Sequence, residues 1–228
     1  MASPLPDETT VRTPYARTSR TTGTRARERM SYDRESVHGI LDAGYLCHLA
    51  FVREGRPVVL PTLYARVGEH LYVHGSTGSR PLREAGRSTS GMPVCVTVTH
   101  VDGLVLAKSA FHHSINYRSV VAHGDAYEVT DHKERLRALD AVVDNVVHGR
   151  ADDSRRADPK ELAATAVLRL ALDEVSAKVR AGGPDDDPED LDLPYWTGVV
   201  PVSPAYGAPI PADHLNPGTP VPGYLTLR

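Results

Sequence analysis

Gly75-Ser76-Thr77-Gly78-Ser79-Arg80 gathers two glycines, three hydroxyls and a fixed cation into six residues, a set whose chemistry suits a phosphate. Small residues let backbone N–H groups approach an anion closely, the Ser76 and Ser79 hydroxyls donate to it, and Arg80 adds a charge-assisted contact. Ser79 also caps a short helix that begins at Arg80-Pro81 and ends near Gly86, so further open N–H groups point the same way. Upstream, Pro61 interrupts a run that otherwise reads as a good strand. A proline cannot donate to a ladder, so this strand has an edge, a bulge or a ligand against its backbone. The groups able to move a proton are His74, His112, His113 and Tyr117. His112 and His113 are adjacent and face opposite sides of an extended chain, which argues against a paired-histidine metal site. No metal centre is expected. The acidic run Asp185 to Asp192 lacks the glycine and the spacing of a calcium loop and reads as a solvated linker.

These residues need a frame, and the pattern supplies one that is mainly β. Val58 to Val67 and Leu71 to His74 form a hairpin about Gly68-Glu69-His70. Asp33 caps a helix over residues 34–43 in which Val37, Ile40 and Leu41 recur at helical spacing, and Gly44 ends it. Tyr45 to Val52 is a strand turned back by Arg53-Glu54-Gly55-Arg56. Pro93 to Val101 and Leu104 to Phe111 form a second hairpin about Asp102-Gly103, and Tyr117 to Val129 is a long strand. Leu136, Leu139, Val142, Val143, Val146 and Val147 mark an amphipathic helix over 131–147 that covers the sheet. Asp158-Pro159 starts a short helix to Ala164, and Val167 to Val179 is a last long strand. Hairpin-linked strands with a few covering helices predict a small closed β-barrel. Residues 1–30 are expected to form a flexible arm, 31–181 the barrel domain, and 182–228 an acidic linker with a proline-rich tail.

With 228 residues, 40% of them hydrophobic, the chain can bury one good core. No apolar run approaches the roughly 20 residues of a membrane span, and no secretory leader is visible. Six arginines fall in the first thirty residues, but the formal charge is −3 and no basic stripe follows, so neither membrane nor nucleic acid is expected as a partner. Cys47 and Cys95 lie among apolar neighbours, as buried reduced thiols of a cytoplasmic protein do.

The hairpin, the Gly78-Ser79-Arg80 loop and the stretch His112-His113-Ser114-Ile115-Asn116-Tyr117-Arg118-Ser119-Val120 together carry a resemblance. The chain resembles the pyridoxamine 5′-phosphate oxidase-like flavoproteins from about Tyr32 to Trp196. It looks nearest to the branch of nitroimidazole-resistance reductases and actinobacterial flavin-nucleotide-binding proteins. The resemblance implies an FMN-binding split barrel, a homodimer, and FMN at the dimer interface. It implies that Ser79 and Arg80, with Ser76, hold the FMN phosphate, and that Pro61, Thr62 and Leu63 run beside the isoalloxazine ring. Tyr117, Arg118 and Ser119 match a strand at the same site, and Trp196 matches a tryptophan that reaches the flavin of the partner subunit. Tyr117 and Arg118 alternate faces, so with Tyr117 toward the core Arg118 would meet the flavin or an anionic substrate; a surface salt bridge is the alternative.

Two departures matter. Val59-Leu60-Pro61-Thr62 stands where true pyridoxamine-phosphate oxidases have a Val-Leu-Leu-Lys motif, and no arginine lies between Trp196 and Arg228, where they grip substrate. The expected activity is therefore an FMN-dependent oxidoreductase acting on another small molecule, with NAD(P)H as electron donor. His74, His113 and Tyr117 are its catalytic candidates. A deazaflavin-dependent reductase, or a flavin- or haem-holding protein without turnover, is the alternative; one of His112 and His113 would then serve as axial ligand.

Overall fold

Asp33 starts the first α-helix as the sequence requires. In a computed structural model describing residues 13–78 and 89–225, its carboxylate accepts the Ser36 N–H and caps α1 (Arg34–Asp42). Val37, Ile40 and Leu41 of that helix enter the main core. A two-residue strand, β1 (Met30–Ser31), precedes it; β2 (Leu46–Arg53), β3 (Arg56–Val67) and β4 (His70–Ser76) follow as a meander. β5 (Met92–Leu106) and β6 (Ser114–Glu128) pair along nearly their whole length. Then come α2 (His132–Val146), α3 (Pro159–Ala164), β7 (Thr165–Ala171), β8 (Glu174–Arg180) and β9 (Gly198–Pro201).

The sheet order β1-β8-β6-β7-β4-β3-β2-β5-β9, with the added β5–β6 pairing, closes six of these strands into a split barrel. Alternation decides what fills it. Cys47, Leu49 and Phe51 of β2, Leu71 and Val73 of β4, Val94, Val96 and Val98 of β5, and Val120 and Ala122 of β6 point inward and are buried. α2 covers the outside of β3, β4 and β7, where Ala138 and Leu139 meet Tyr72 and Val167. Elsewhere, among the described residues, no helix lies over the outer face of β3, β2 and β5, and Leu46, Val52 and Val59 are exposed there.

The structure departs from the expected elements at three places. Asp102-Gly103 is a β-bulge inside β5, where a hairpin was expected. The Asp102 carboxylate is held by Arg118 of β6, and Gly103 lies under β9, where an added Cβ would meet Val199 at 3.0 Å. Turn and bulge demand the same residue types, so only the pairing partner separates them. The expected strand over 167–179 is two strands, β7 against β4 and β8 against β6, joined where the Leu172 N–H donates to Glu69 O at 2.9 Å. The acidic run is folded against the 106–112 segment: Asp186 accepts the Lys108 N–H and the Thr197 hydroxyl, both at 2.7 Å, and Asp187 faces His112 at 2.9 Å.

From Thr13 onward the residues placed in a flexible arm pack against the barrel. Tyr15 is buried, donates its hydroxyl to Glu69 at 2.7 Å and carries the Arg34 guanidinium over its ring at 4.1 Å. Tyr32 donates to Thr21 O at 2.9 Å. The expected helix after Arg80 lies outside the described residues.

Candidate functional site

The bare outer face is built by strand parity. Because Cys47, Leu49 and Phe51 go inward, Leu46, His48, Ala50 and Val52 must go outward. Register sets Pro61 opposite His48, Val59 opposite Ala50 and Leu63 opposite Leu46, and on the other side Thr97 opposite His48 and Cys95 opposite Ala50. The face continues across β5 to β6, where Thr97 meets Val121 and Thr99 meets Ser119. Pro61 is exposed in the middle of a paired strand, so its missing N–H comes with an open surface and no broken core.

The candidate residues fall into separate groups on this scaffold. Pro61, Thr62 and Leu63 lie on β3, while Tyr117 and Ser119 lie on β6, three strand spacings or about 14 Å away. Ser119 donates its hydroxyl to Lys178 O at 3.3 Å. Ser76 is exposed at the end of β4 and accepts the Gly78 N–H at 3.1 Å; Ser79 and Arg80 lie outside the described residues. Trp196 is 65% exposed, with its ring against Gly198, where an added Cβ would lie 2.9 Å from it. One subunit does not bring these groups into a single cleft.

Arg118 corrects an expectation. It shares the parity of the buried Val120 and Ala122, and Tyr117 shares that of Ser119, so the faces are the reverse of those assumed. Its guanidinium forms a two-pronged pair with Asp102, with both bonds at 2.9 Å. That hydrogen bonding holds the Asp102 carboxyl below the usual carboxylate range. The salt-bridge alternative describes Arg118 in this subunit.

The histidines also separate. His113 is exposed, and Nδ1 lies 3.0 Å from Ser109 O. A carbonyl only accepts, so Nδ1 carries the proton and Nε2 of the neutral ring is a bare acceptor. His112 pairs with Asp187, which raises its pKa. His74 points from β4 to the outside of the barrel beneath α2, and its Nδ1 is shielded from solvent with no hydrogen-bond partner. Burial alone pushes the His74 pKa below the ordinary imidazole value. Its ring borders a cavity of about 310 Å³ beside α2 and residues 151–161. Sequence reasoning found His74 but not this cavity, since the walls come from segments about 65 to 90 positions away.

Comparisons with known proteins follow the same lines. A family model described as pyridoxamine 5′-phosphate oxidase matches residues 33–179. The solved structure of a flavocytochrome from Azotobacter vinelandii is 36% identical, covers 93% of this chain and 98% of its own, and superposes with a TM-score of 0.85. The FAD and heme binding protein from Mycobacterium smegmatis is 41% identical, with 87% of this chain and 96% of its own covered and a TM-score of 0.81. A Bacteroides thetaiotaomicron protein associated with 5-nitroimidazole resistance is 19% identical over 66% of this chain and 86% of its own, with a TM-score of 0.54, a likeness of fold alone. No curated protein matches the chain.

Proposed function

The chain belongs to the pyridoxamine 5′-phosphate oxidase family, and from that premise we propose that it is a homodimeric redox protein holding a flavin and a haem. The observation that carries this reading is the bare outer face of β3, β2, β5 and β6. Leu46, Val52 and Val59 are exposed on it, Val59 to 57%, beside Pro61, with His48, Thr97, Thr99 and Ser119 across the same face, and exposed apolar groups rimmed by polar ones mark interaction surfaces. A second copy laid on this face brings Pro61, Thr62 and Leu63 of one subunit toward Tyr117, Ser119 and Trp196 of the other. The scatter of candidate residues over one chain is what a shared site leaves behind.

FMN is the flavin that the resemblance led us to expect. FAD contains the same phosphate and ring system, and the relative at 41% identity binds FAD, so FAD is the form proposed here. Two relatives at 36% and 41% identity, a flavocytochrome and a heme binding protein, support haem as the second group. When bound, the flavin supplies two-electron chemistry and the haem one-electron chemistry. The protein's own part is to bind and orient. Pro61 offers no N–H and leaves a flat surface for a ring, Ser119 offers a hydroxyl, and the Ser76 to Arg80 segment serves the phosphate; Thr62, opposite Cys47, has the inward parity and leaves this face. Tyr117 and the bare Nε2 of His113 are the groups that exchange a proton with a small-molecule substrate. Electrons come from a nicotinamide nucleotide, and the protein works in the cytoplasm. Among the described residues no helix is long and apolar enough to cross a membrane.

The test is the visible spectrum of the purified protein with mass identification of what it releases on denaturation. Flavin bands, a Soret band and released FAD are the expected result. A colourless protein that takes up neither added flavin nor added haem would overturn the reading. Arg118→Leu is expected to cost under about 1 kcal/mol in urea unfolding, since it breaks a half-exposed ion pair, and to leave flavin content unchanged. Loss of flavin in that variant would return Arg118 to the site.

A further inference from the structure

His48 stands in the middle of the bare outer face with an imidazole that its own subunit does not use. Strand parity turns it outward, and register sets it between Pro61 of β3 and Thr97 of β5. Along β2 its same-face neighbours are Leu46 and Ala50. Of these four residues Thr97 alone has a polar side chain, and the ring of His48 is exposed. Among the described residues no hydrogen bond, ion pair or ring contact engages it. Other histidines are engaged. His38 lies 2.8 Å from the Tyr15 hydroxyl and His100 2.9 Å from Ile40 O, while His112 and His113 have partners on their exposed turn.

Position across the sheet separates His48 from the other outward polar groups. Neighbouring strands lie about 4.8 Å apart, so a three-ring system lying beside Pro61 meets His48 one strand away. Ser119 is three spacings from Pro61 and already donates to Lys178 O, and His123 lies on the same distant strand. Covering this face takes the imidazole out of water, and a covered polar group without a partner is destabilising. Whatever covers His48 therefore supplies that partner. An imidazole carries at least one N–H in either protonation state, so it needs an acceptor. The carbonyl oxygens of an isoalloxazine ring lie at its pyrimidine end; the benzene end is methylated and offers no acceptor.

Resting on the flavin part of the function proposed above, we propose that His48 is a flavin-binding residue whose ring N–H donates a hydrogen bond to the pyrimidine end of the isoalloxazine. Pro61 lies beside the flat of the ring and His48 fixes which end of it points across β2. Negative charge gathers at the pyrimidine end when flavin is reduced, so a donor held there binds the reduced form more tightly than the oxidised one.

The experiment uses the full chain, freed of flavin and titrated with FAD, with affinity read by quenching of flavin fluorescence and the reduction potential by spectroelectrochemical titration. His48→Leu is expected to bind oxidised FAD about tenfold more weakly. A further tenfold loss for the reduced form lowers the two-electron potential by about 30 mV. Far-ultraviolet circular dichroism and sedimentation equilibrium stay as in the parent, because the residue is exposed in the single subunit. His48→Gln, whose side-chain amide keeps an N–H donor, is expected to hold affinity within about threefold and to restore the potential, which a role in packing alone would not allow. If His48→Leu keeps the affinity and the potential of the parent, the assignment is overturned while flavin binding stands. If His48→Leu is monomeric where the parent is a dimer, His48 belongs to the contact between subunits and the assignment is likewise overturned. If the parent chain takes up no flavin, the flavin reading falls and this assignment with it. If His48→Leu does not fold, His48→Ala decides in its place, with the same losses expected.

Discussion

Ala50→Arg is expected to convert the protein to monomers that lose their flavin on gel filtration while the barrel stays folded. Ala50 sits mid-strand on the outer side of β2, with Val59 opposite on one flank and Cys95 on the other. In an isolated subunit an arginine there extends into water and costs little. Buried against a second copy its guanidinium would lose its water, and an uncompensated buried charge costs about 3–5 kcal/mol. The dimer dissociation constant should therefore rise by more than about 100-fold. Sedimentation equilibrium measures that directly, and circular dichroism checks the fold. A variant that remains dimeric and yellow would show that another face makes the interface and would remove the shared-site reading with it.

Tyr64→Ala carries the largest expected loss of stability, about 3–5 kcal/mol, or roughly 10 °C in melting midpoint. Tyr64 is fully buried on β3 and tops the fully buried side chains in volume. It ties three elements together: its hydroxyl donates to Leu41 O at the end of α1, its ring packs in the main core, and its own carbonyl accepts from Asn145 Nδ2 of α2 at 2.8 Å. Truncation leaves a cavity where no side chain can collapse easily, because α1, β3 and α2 are each held from another direction. Since Pro61, Thr62 and Leu63 precede Tyr64 on the same strand, flavin retention should fall together with stability. Tyr64→Phe keeps the volume and leaves Leu41 O without its donor, so a smaller loss of about 1–3 kcal/mol is expected. Thermal and urea unfolding of the two variants check both figures. Equal losses would mean that the hydroxyl, not the packing, supports this junction.

How much of this was legible beforehand depends on where the deciding contact lies. The Asp33 cap and the start of α3 at Asp158-Pro159 are written in residues within four or five positions of one another, and the structure has them as the pattern predicts; α2 forms as expected, but it buries Ala138 and Val142 and leaves Val143 of the expected stripe exposed. Pro61 likewise announced an open strand surface from its own chemistry. The sequence by itself thus determined the kinds of element, the barrel class and the family, because periodicity, capping and motif are local properties. Tertiary structure decided the rest. Asp102-Gly103 became a bulge because Arg118 and β9 reach it from 16 and about 100 positions away. Arg118 meets Asp102 because strand parity turns it toward the bulge. The Nδ1 of His74 is shielded without a partner because α2 and residues 151–157 lie against the ring, and the candidate residues are spread over separate strands because register and parity put them there. Such facts rest on pairings between distant segments, and no local pattern encodes which distant groups will meet or which polar atom they will leave unsatisfied.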